Sequence, residues 1–359
     1  MFIRNSWYVA AWSSEVGSTR PLGRTVLEEP IVLFRSGSGN VAALGGRCAH
    51  RRMPLSHAKV DGDTLICCYH GLTYDATGRC VRVPGQDSPP RGIGVRRYPA
   101  AERYGAVWVW MGDPDLADET MIFSCNRLDA AGTNGHKFYF HVKANYLYLN
   151  DNLSDLLHQA YLHNPSFGGN TYPLGETVPA ISERGRGIEV RWDWDDVPVP
   201  GLFGELGQIA GRADGWNHST YEAPSFYIND VGFAETGTGK KESGRPQGAG
   251  KLSFAVHQLI TPETARTTHF FKIVHCDWPP ELVPELVRVI NPVNQEDIWA
   301  CEEQQRMEEL DPSAPMSTIP TDNAVVAMRR LLRRVHEEES RAGRARTRRV
   351  SAAEPGPAQ

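Results

Sequence analysis

Two short cysteine–histidine clusters constrain this chain more than any other feature: Cys48-Ala49-His50, and then Cys67-Cys68-Tyr69-His70. Each offers one thiolate and one imidazole, and each sits in a turn-like context beside a β-type run. Two such loops facing each other would present two sulfur and two nitrogen ligands, so the pattern reads as a metal centre. Structural zinc accepts two Cys and two His in a tetrahedron. A two-iron cluster with both Cys on one iron and both His on the other accepts the same set. Zinc fingers group the two Cys in one half and the two His in the other. Here each half carries one of each, which suits two irons with different ligand sets.

The remaining cysteines need a separate account. There are seven in all, an odd number scattered through 359 residues, which argues against a secreted disulfide framework. Only Cys67 has the spacing to His70, so Cys68 reads as a packed or loop thiol. His57 has no cysteine partner at that spacing and reads as a surface histidine or one that supports a ligand. Cys80, Cys125, Cys276 and Cys301 read as buried free thiols. With 40% hydrophobic and 23% charged residues, the chain can fill two ordinary domains. A net charge of -5 argues against a dedicated nucleic-acid binder. The opening MFIRNSWYVAAWSSE lacks the features of a signal peptide, and no run approaches the ~18 apolar residues of a membrane span. The expectation is a cytoplasmic protein without membrane or nucleic-acid partners.

Along the chain, short β-type runs separated by Gly, Pro, Asn and Asp fill the first third: Ile31 to Phe34, Val41 to Leu44, Thr64 to Cys68 and Val107 to Trp110. Such spacing predicts a small β sandwich or barrel, ending near Asp113 to Asp118. A helical composition over Val142 to Leu162 follows, stopped by Pro165. Strand-like pieces come next, at Ile188 to Trp194, Thr220 to Phe233, Leu252 to Ile260 and Thr267 to Val274. Gly237 to Gly250 reads as a flexible loop. Long helices are expected over Glu281 to Leu310, despite Pro284 and Pro292, and over Thr321 to Glu339. The predicted architecture is an all-β domain over 1–118, an α+β domain over 119–340, and a tail at 341–359 without order.

The helix-like stretch carries a second set, His158 and His163, five residues apart. At ~100° per residue they would point about 140° apart on a regular helix. For both to reach one metal, the helix must distort or end between them. Two His and one carboxylate form the triad that holds non-haem Fe(II) with positions open for oxygen and substrate. On their own, two histidines at this spacing are weak evidence, and unrelated surface residues are the favoured reading.

The residues flanking the first clusters, Cys48-Ala49-His50-Arg51 and Cys67-Cys68-Tyr69-His70-Gly71-Leu72, resemble the signature of Rieske proteins. Ala49 and Cys68 replace residues that are usually proline, or proline or glycine, in that family. The set Asn152, Asp155, His158 and His163 matches the catalytic-domain motif of the Rieske oxygenases residue by residue. Further pieces resemble the homo-oligomeric demethylases of this family, those of vanillate and dicamba, with toluenesulfonate methyl-monooxygenase nearby. They include Val83-Pro84-Gly85-Gln86, Val107-Trp108-Val109-Trp110 and Leu259-Ile260-Thr261-Pro262-Glu263-Thr264.

The resemblance implies an N-terminal β domain whose [2Fe-2S] Rieske cluster is held by Cys48, His50, Cys67 and His70. It implies an α+β catalytic domain with a central antiparallel sheet covered by helices, of helix-grip type. There His158, His163 and Asp297 would hold mononuclear Fe(II), with Glu296 the competing carboxylate. Asp155 would bond the outer nitrogen of His158 and link it to His70 of the next protomer in a homotrimer. Asn152 would lie near the iron. Asn229, His257 and Gln258 are candidate substrate contacts, and Phe226 or Tyr227 candidate pocket walls. The implied reaction uses O2 and electrons that a separate ferredoxin-type reductase draws from NAD(P)H. An aromatic methyl ether, a vanillate-like methoxybenzoate, would lose its methyl group as formaldehyde. A methyl- or ring-hydroxylating enzyme acting on another aromatic acid is the alternative.

Overall fold

The computed structural model describes residues 1–124, 134–167, 178–237, 252–276 and 283–353. Three small antiparallel sheets make up the N-terminal part. Trp7–Trp12, Ala106–Trp110 and Ala100–Arg103 form the first. Leu22–Val26, Glu29–Arg35, Val41–Gly45 and Arg97–Tyr98 form the second, and Lys59–Asp61, Thr64–Ile66, Thr73–Asp75 and Cys80–Arg82 the third. Alternation along Glu29–Arg35 links two cores, because successive strand residues face opposite ways. Ile31 and Leu33 pack with Tyr8, Val107 and Val109, while Val32 and Phe34 pack with Leu55, Leu65 and Tyr74.

One seven-stranded antiparallel sheet organises the second part. Its order is Asn134–Val142, Thr268–Cys276, Leu252–Pro262, Phe226–Ala234, Arg212–Glu222, Gly187–Pro198 and Ala180–Arg184. Strand Leu252–Pro262 is buried along nearly its whole length, so its sequence lacks the apolar–polar alternation of a one-sided sheet. The edge strand Ala180–Arg184 is mostly exposed and ends Ser182-Glu183-Arg184; charged edges discourage pairing with other chains. Among the described residues, four helices accompany the sheet: α1 (Tyr146–Ser154), α2 (Gly201–Gly207), α3 (Val283–Leu310) and α4 (Asn323–Ala353). Among the described residues, no helix is long and apolar enough to cross a membrane.

Three expectations change. The stretch read as one helix, Val142 to Leu162, is a strand end, then α1, then a 3-10 turn at Leu157–Ala160. The piece read as one strand, Thr220 to Phe233, is two antiparallel strands joined through Ala223-Pro224-Ser225. Proline has no N–H for a ladder bond, which fits a turn better than a strand centre. Finally, α4 runs on to Ala353, past Arg341, where order was expected to stop. Arg and Ala, abundant there, are good helix formers. Cys125 and most of the glycine-rich stretch lie outside the described residues.

The two parts meet on the outer face of the large sheet. Trp7, Trp12, Trp108 and Trp110 pack with Phe226, Leu259, Phe271 and Ile273 in one core. Backbone bonds seal its edge: Leu27 N–H donates to the Pro262 carbonyl at 2.9 Å and Glu28 N–H to that of Glu263 at 2.8 Å. Close by, His269 Nε2 lies 3.0 Å from the Thr25 carbonyl and its Nδ1 lies 2.9 Å from Tyr139 Oη. Nε2 can donate to the carbonyl only as N–H, and Nδ1 can accept from the phenol only when bare, so the neutral ring fits. Burial pushes its pKa down to about 4, against the opposing pull of Glu263.

The linkage has a definite sign. The unfolded chain protonates His269 near pH 6.5, whereas the folded one resists until about pH 4. The folded state is therefore favoured above pH 6.5, and that advantage, at most ~3 kcal/mol, is lost as pH falls between those values. Thermal melts should show Tm falling over this window, and His269→Gln should flatten the fall. An unchanged slope in the variant would assign the acid sensitivity elsewhere.

Candidate active site: two ligand sets and a cavity

The two cysteine loops share one backbone pattern. Cys48 N–H donates to the Met53 carbonyl at 2.9 Å, and Arg52 N–H donates to the Cys48 carbonyl at 2.9 Å. Likewise Cys67 N–H donates to Leu72 at 2.8 Å, and Gly71 N–H donates to Cys67 at 3.0 Å. Both loops close through a residue of positive φ, Arg52 at 57° and Gly71 at 70°. Glycine takes that conformation freely, whereas arginine does so at a cost. The repeated pattern buries both thiols and leaves His50 and His70 exposed, with ring centroids 4.6 Å apart. The two thiols lie within hydrogen-bonding reach of each other, and burial raises the pKa of Cys67. Tyr74 Oη lies 3.1 Å from Cys48 Sγ and accepts from Ala49 N–H at 3.1 Å. Sequence reading did not single out Tyr74. Paired buried thiols and paired outward imidazoles fit a cluster with sulfur ligands on its inner iron and nitrogen ligands on its outer one. Cys68 is exposed and Cys80 and Cys301 are buried; His57 is exposed.

The second set depends on a broken helix. Asn145 caps α1 by accepting Leu147 N–H at 3.0 Å. At the other end, Asp155 N–H donates back to the Asp151 and Asn152 carbonyls. The Asp155 carboxylate then takes Leu157 N–H at 2.8 Å, a side-chain turn that competes with continuing the helix. His158 therefore sits on a 3-10 turn and His163 beyond it, which removes the 140° divergence. Their ring centroids are 5.0 Å apart.

The third group comes from α3. Its buried side includes Leu286, Ile290, Asn294, Asp297, Cys301 and Gln305, the spacing of one helical face. Asp297 Oδ1 lies 3.1 Å from His163 Nε2 and 3.4 Å from His158 Nε2. Among the described residues this buried oxygen accepts no hydrogen bond. Bonds of ~2.1 Å at right angles would set neighbouring ligand atoms about 3.0 Å apart, so the three atoms fit one divalent metal. Burial would raise the Asp297 carboxyl, but the two imidazoles outweigh it and hold the group far below the carboxylate range.

Glu296 has a different place. Its Oε2 lies 2.7 Å from His163 Nδ1, and its Oε1 accepts from Ser166 Oγ at 2.5 Å. Such an outer carboxylate orients an imidazole and raises its basicity. Burial disfavours the His163 cation, yet Asp297 and Glu296 together raise its pKa. The expected side-chain bond from Asp155 to His158 is absent: His158 Nδ1 contacts the Asp155 backbone carbonyl instead, because the carboxylate is held by Leu157. Burial raises the Asp155 pKa, against Leu157 N–H and His158. Asn152 lies in the last turn of α1, with its Oδ1 buried and unpartnered among the described residues.

A cavity of about 90 Å³ opens on His158, His163 and Asp297. Leu153, Phe167, Phe203, Phe254, Val256 and Leu286 form much of its wall. Asn229 and Gln258 line it, joined by Gln258 Nε2 donating to Asn229 Oδ1 at 2.7 Å. His257 does not line it; its neighbours Val256 and Gln258 face the cavity, so it faces the opposite side of the sheet. Phe226 lies in the interdomain core, and Tyr227 bonds Asn150 and Ser154, so neither is a wall. Lys272, unforeseen from sequence, also lines the cavity. Burial pushes its ammonium down to about 8, against the pull of Asp297.

Metal analysis of purified variants tests the division between the two adjacent acids. Asp297→Asn should lose the metal at this site while the cysteine-held centre keeps its absorption. Glu296→Gln should retain the metal with affinity weakened roughly 10- to 100-fold. The reverse order would make Glu296 the ligand.

Comparison with known proteins places the whole arrangement. Residues 6–99 match the model of the Rieske [2Fe-2S] domain. Residues 142–338 match that of the vanillate O-demethylase oxygenase C-terminal domain. A toluene-4-sulfonate monooxygenase system iron-sulfur subunit from Comamonas testosteroni is 33% identical over 95% of this chain and 99% of its own. The oxygenase component of dicamba O-demethylase from Stenotrophomonas maltophilia is 36% identical over 75% of this chain and 77% of its own. A crystal structure of dicamba monooxygenase bound to 3,6-dichlorosalicylic acid superposes with a TM-score of 0.84 at 29% identity, covering 94% of this chain and 99% of that one. With both domain matches in place, the chain belongs to the Rieske non-haem iron oxygenases, as an oxidoreductase whose cofactors are a Rieske [2Fe-2S] cluster and a mononuclear non-haem iron.

Proposed function

We propose that this chain is the oxygenase component of an O-demethylase that converts a vanillate-like methoxybenzoate to the phenol and formaldehyde. The observation that carries the reading is the apolar cavity, of a kind suited to a ring, opening directly on His158, His163 and Asp297. The match to the vanillate O-demethylase type of catalytic domain supports the same substrate class.

In this reading Cys48, His50, Cys67 and His70 hold the cluster, and His158, His163 and Asp297 hold the iron. The cluster supplies single electrons from a ferredoxin-type reductase oxidising NAD(P)H, and the iron supplies oxygen activation at the methyl carbon. The residues of the chain then do three things. Leu153, Phe203 and Phe254 keep water from the ring. Glu296 and the Asp155 carbonyl fix the two imidazoles from outside. The exposed His70 meets Asp155 of a neighbouring subunit in a homotrimer. Hydroxylation of the methoxy carbon gives a hemiacetal, which collapses to phenol and formaldehyde.

The similarity to a toluenesulfonate monooxygenase subunit over 95% of the chain favours a second reading, hydroxylation of a ring methyl group. Turnover of a panel of methoxybenzoates and toluenesulfonates with a surrogate reductase separates the two. Stoichiometric formaldehyde from a methoxybenzoate is expected. Benzylic alcohol without formaldehyde would replace demethylation by methyl hydroxylation. His158→Ala should keep the cluster spectrum and lose turnover. Asp155→Asn should keep both metals and lower turnover at least 100-fold; unchanged turnover would remove Asp155 from the electron route.

A further inference from the structure

Lys272 is a buried cation, 4% exposed, in a cavity whose walls are mainly apolar. Its Nζ donates to Asn294 Oδ1, and among the described residues it makes no ion pair. The ammonium also lies 5.5 Å from the centroid of the Phe270 ring, and burying a cation without an anionic partner costs several kcal/mol. Asp297 is the acid whose charge it feels, but that carboxylate is committed to the iron when the metal is bound. Counting the iron at +2, Lys272 at +1, and Asp297 and Glu296 at -1 each, the loaded site carries a net positive charge.

The polar groups beside Lys272 form a row on the sheet. Lys272 and Gln258 are directly opposed on neighbouring strands, and Gln258 reaches Asn229. Gln258 Oε1 and Asn217 Oδ1 are buried acceptors in the cavity lining, without a donor among the described residues. The sheet thus supplies a cation and spare acceptors, while the metal-binding groups come from the segment after α1 and from α3.

We propose that Lys272 is the residue that selects an anionic substrate, binding the carboxylate of an aromatic acid so that the ring lies across the apolar walls with its far edge toward the metal. Gln258 and Asn217 take a ring hydroxyl of the same molecule. This assignment rests on the methoxybenzoate reading above and adds to it the side chain that reads the substrate's charge.

Calorimetric binding to the iron-loaded holoenzyme tests it, with 4-hydroxy-3-methoxybenzoate, its neutral amide and 4-toluenesulfonate as probes. The wild type should bind at least one of the two anions ten times more tightly than the amide. Lys272→Met should weaken that anion 10- to 100-fold and the amide less than threefold. Lys272→Arg, which keeps the charge, should retain the preference for the anion. If Lys272→Met fails to fold, the wild-type and Lys272→Arg comparisons still decide. Equal binding of acid and amide by the wild type, or binding of none of the anions, overturns the proposal. So does a Lys272→Met variant that loses acid and amide alike. Formaldehyde assays on the same protein keep the two readings apart. Anion-selective binding without formaldehyde sinks demethylation alone, and formaldehyde with no charge preference sinks the role of Lys272 alone.

Discussion

The burial of one sheet on both faces governs the rest of the molecule. Its outer face takes the tryptophans of strands Trp7–Trp12 and Ala106–Trp110, and its inner face takes α1, α3 and the cavity. Aromatic side chains contribute the largest buried areas, so this interdomain core resembles the interior of one domain rather than a polar hinge. Phe226, Leu259 and Phe271 face the N-terminal sheets, while Asn229, Gln258 and Lys272 on the same strands face the cavity. The strand period of two therefore ties domain docking to site chemistry: a one-residue slip would exchange the two sets.

The candidate metal site of His158, His163 and Asp297 draws its order from two helices that are themselves anchored. Arg329 on α4 makes a two-pronged contact with Asp151 on α1. That pair fixes α1 just before Asp155 breaks the helix. From the other side, α3 brings Asp297 and Glu296 as adjacent residues with different partners. One aims at the point where both imidazoles converge, and the other braces His163 from behind.

Legibility in the sequence followed how local each signal was. The cysteine loops were readable because the Cys and the His of each half lie within four residues. His158 and His163 were readable only through resemblance, since their spacing conflicts with a regular helix and nothing local announced that Asp155 would take Leu157 N–H. Asp297 could have been separated from Glu296 by helix phase, because Ile290, Asn294, Asp297 and Cys301 fall on one side. His257 and Gln258 could not be separated, as a strand buried on both faces has no polar side to set its phase. Lys272 went unnoticed because an isolated lysine in an apolar strand carries no pattern. Tyr74, likewise, gains its meaning only when the third sheet folds it onto Cys48.

The middle of α4 touches the beginning of the N-terminal domain. Arg4 N–H donates to Glu339 Oε2 at 2.9 Å, across 335 residues of sequence, and Asn5 N–H contacts the other oxygen of the same carboxylate. During synthesis the first strand is made early, yet its partner leaves the ribosome only after the whole catalytic domain. Contacts so far apart in sequence slow folding, because the intervening chain must be ordered before they form. The N-terminal domain can collapse on its own sheets while the chain is still growing. Its apolar docking face, however, stays open until the large sheet arrives, and the Glu339 contact is added last. The large sheet, made later in the chain, is what covers the tryptophans of the N-terminal strands.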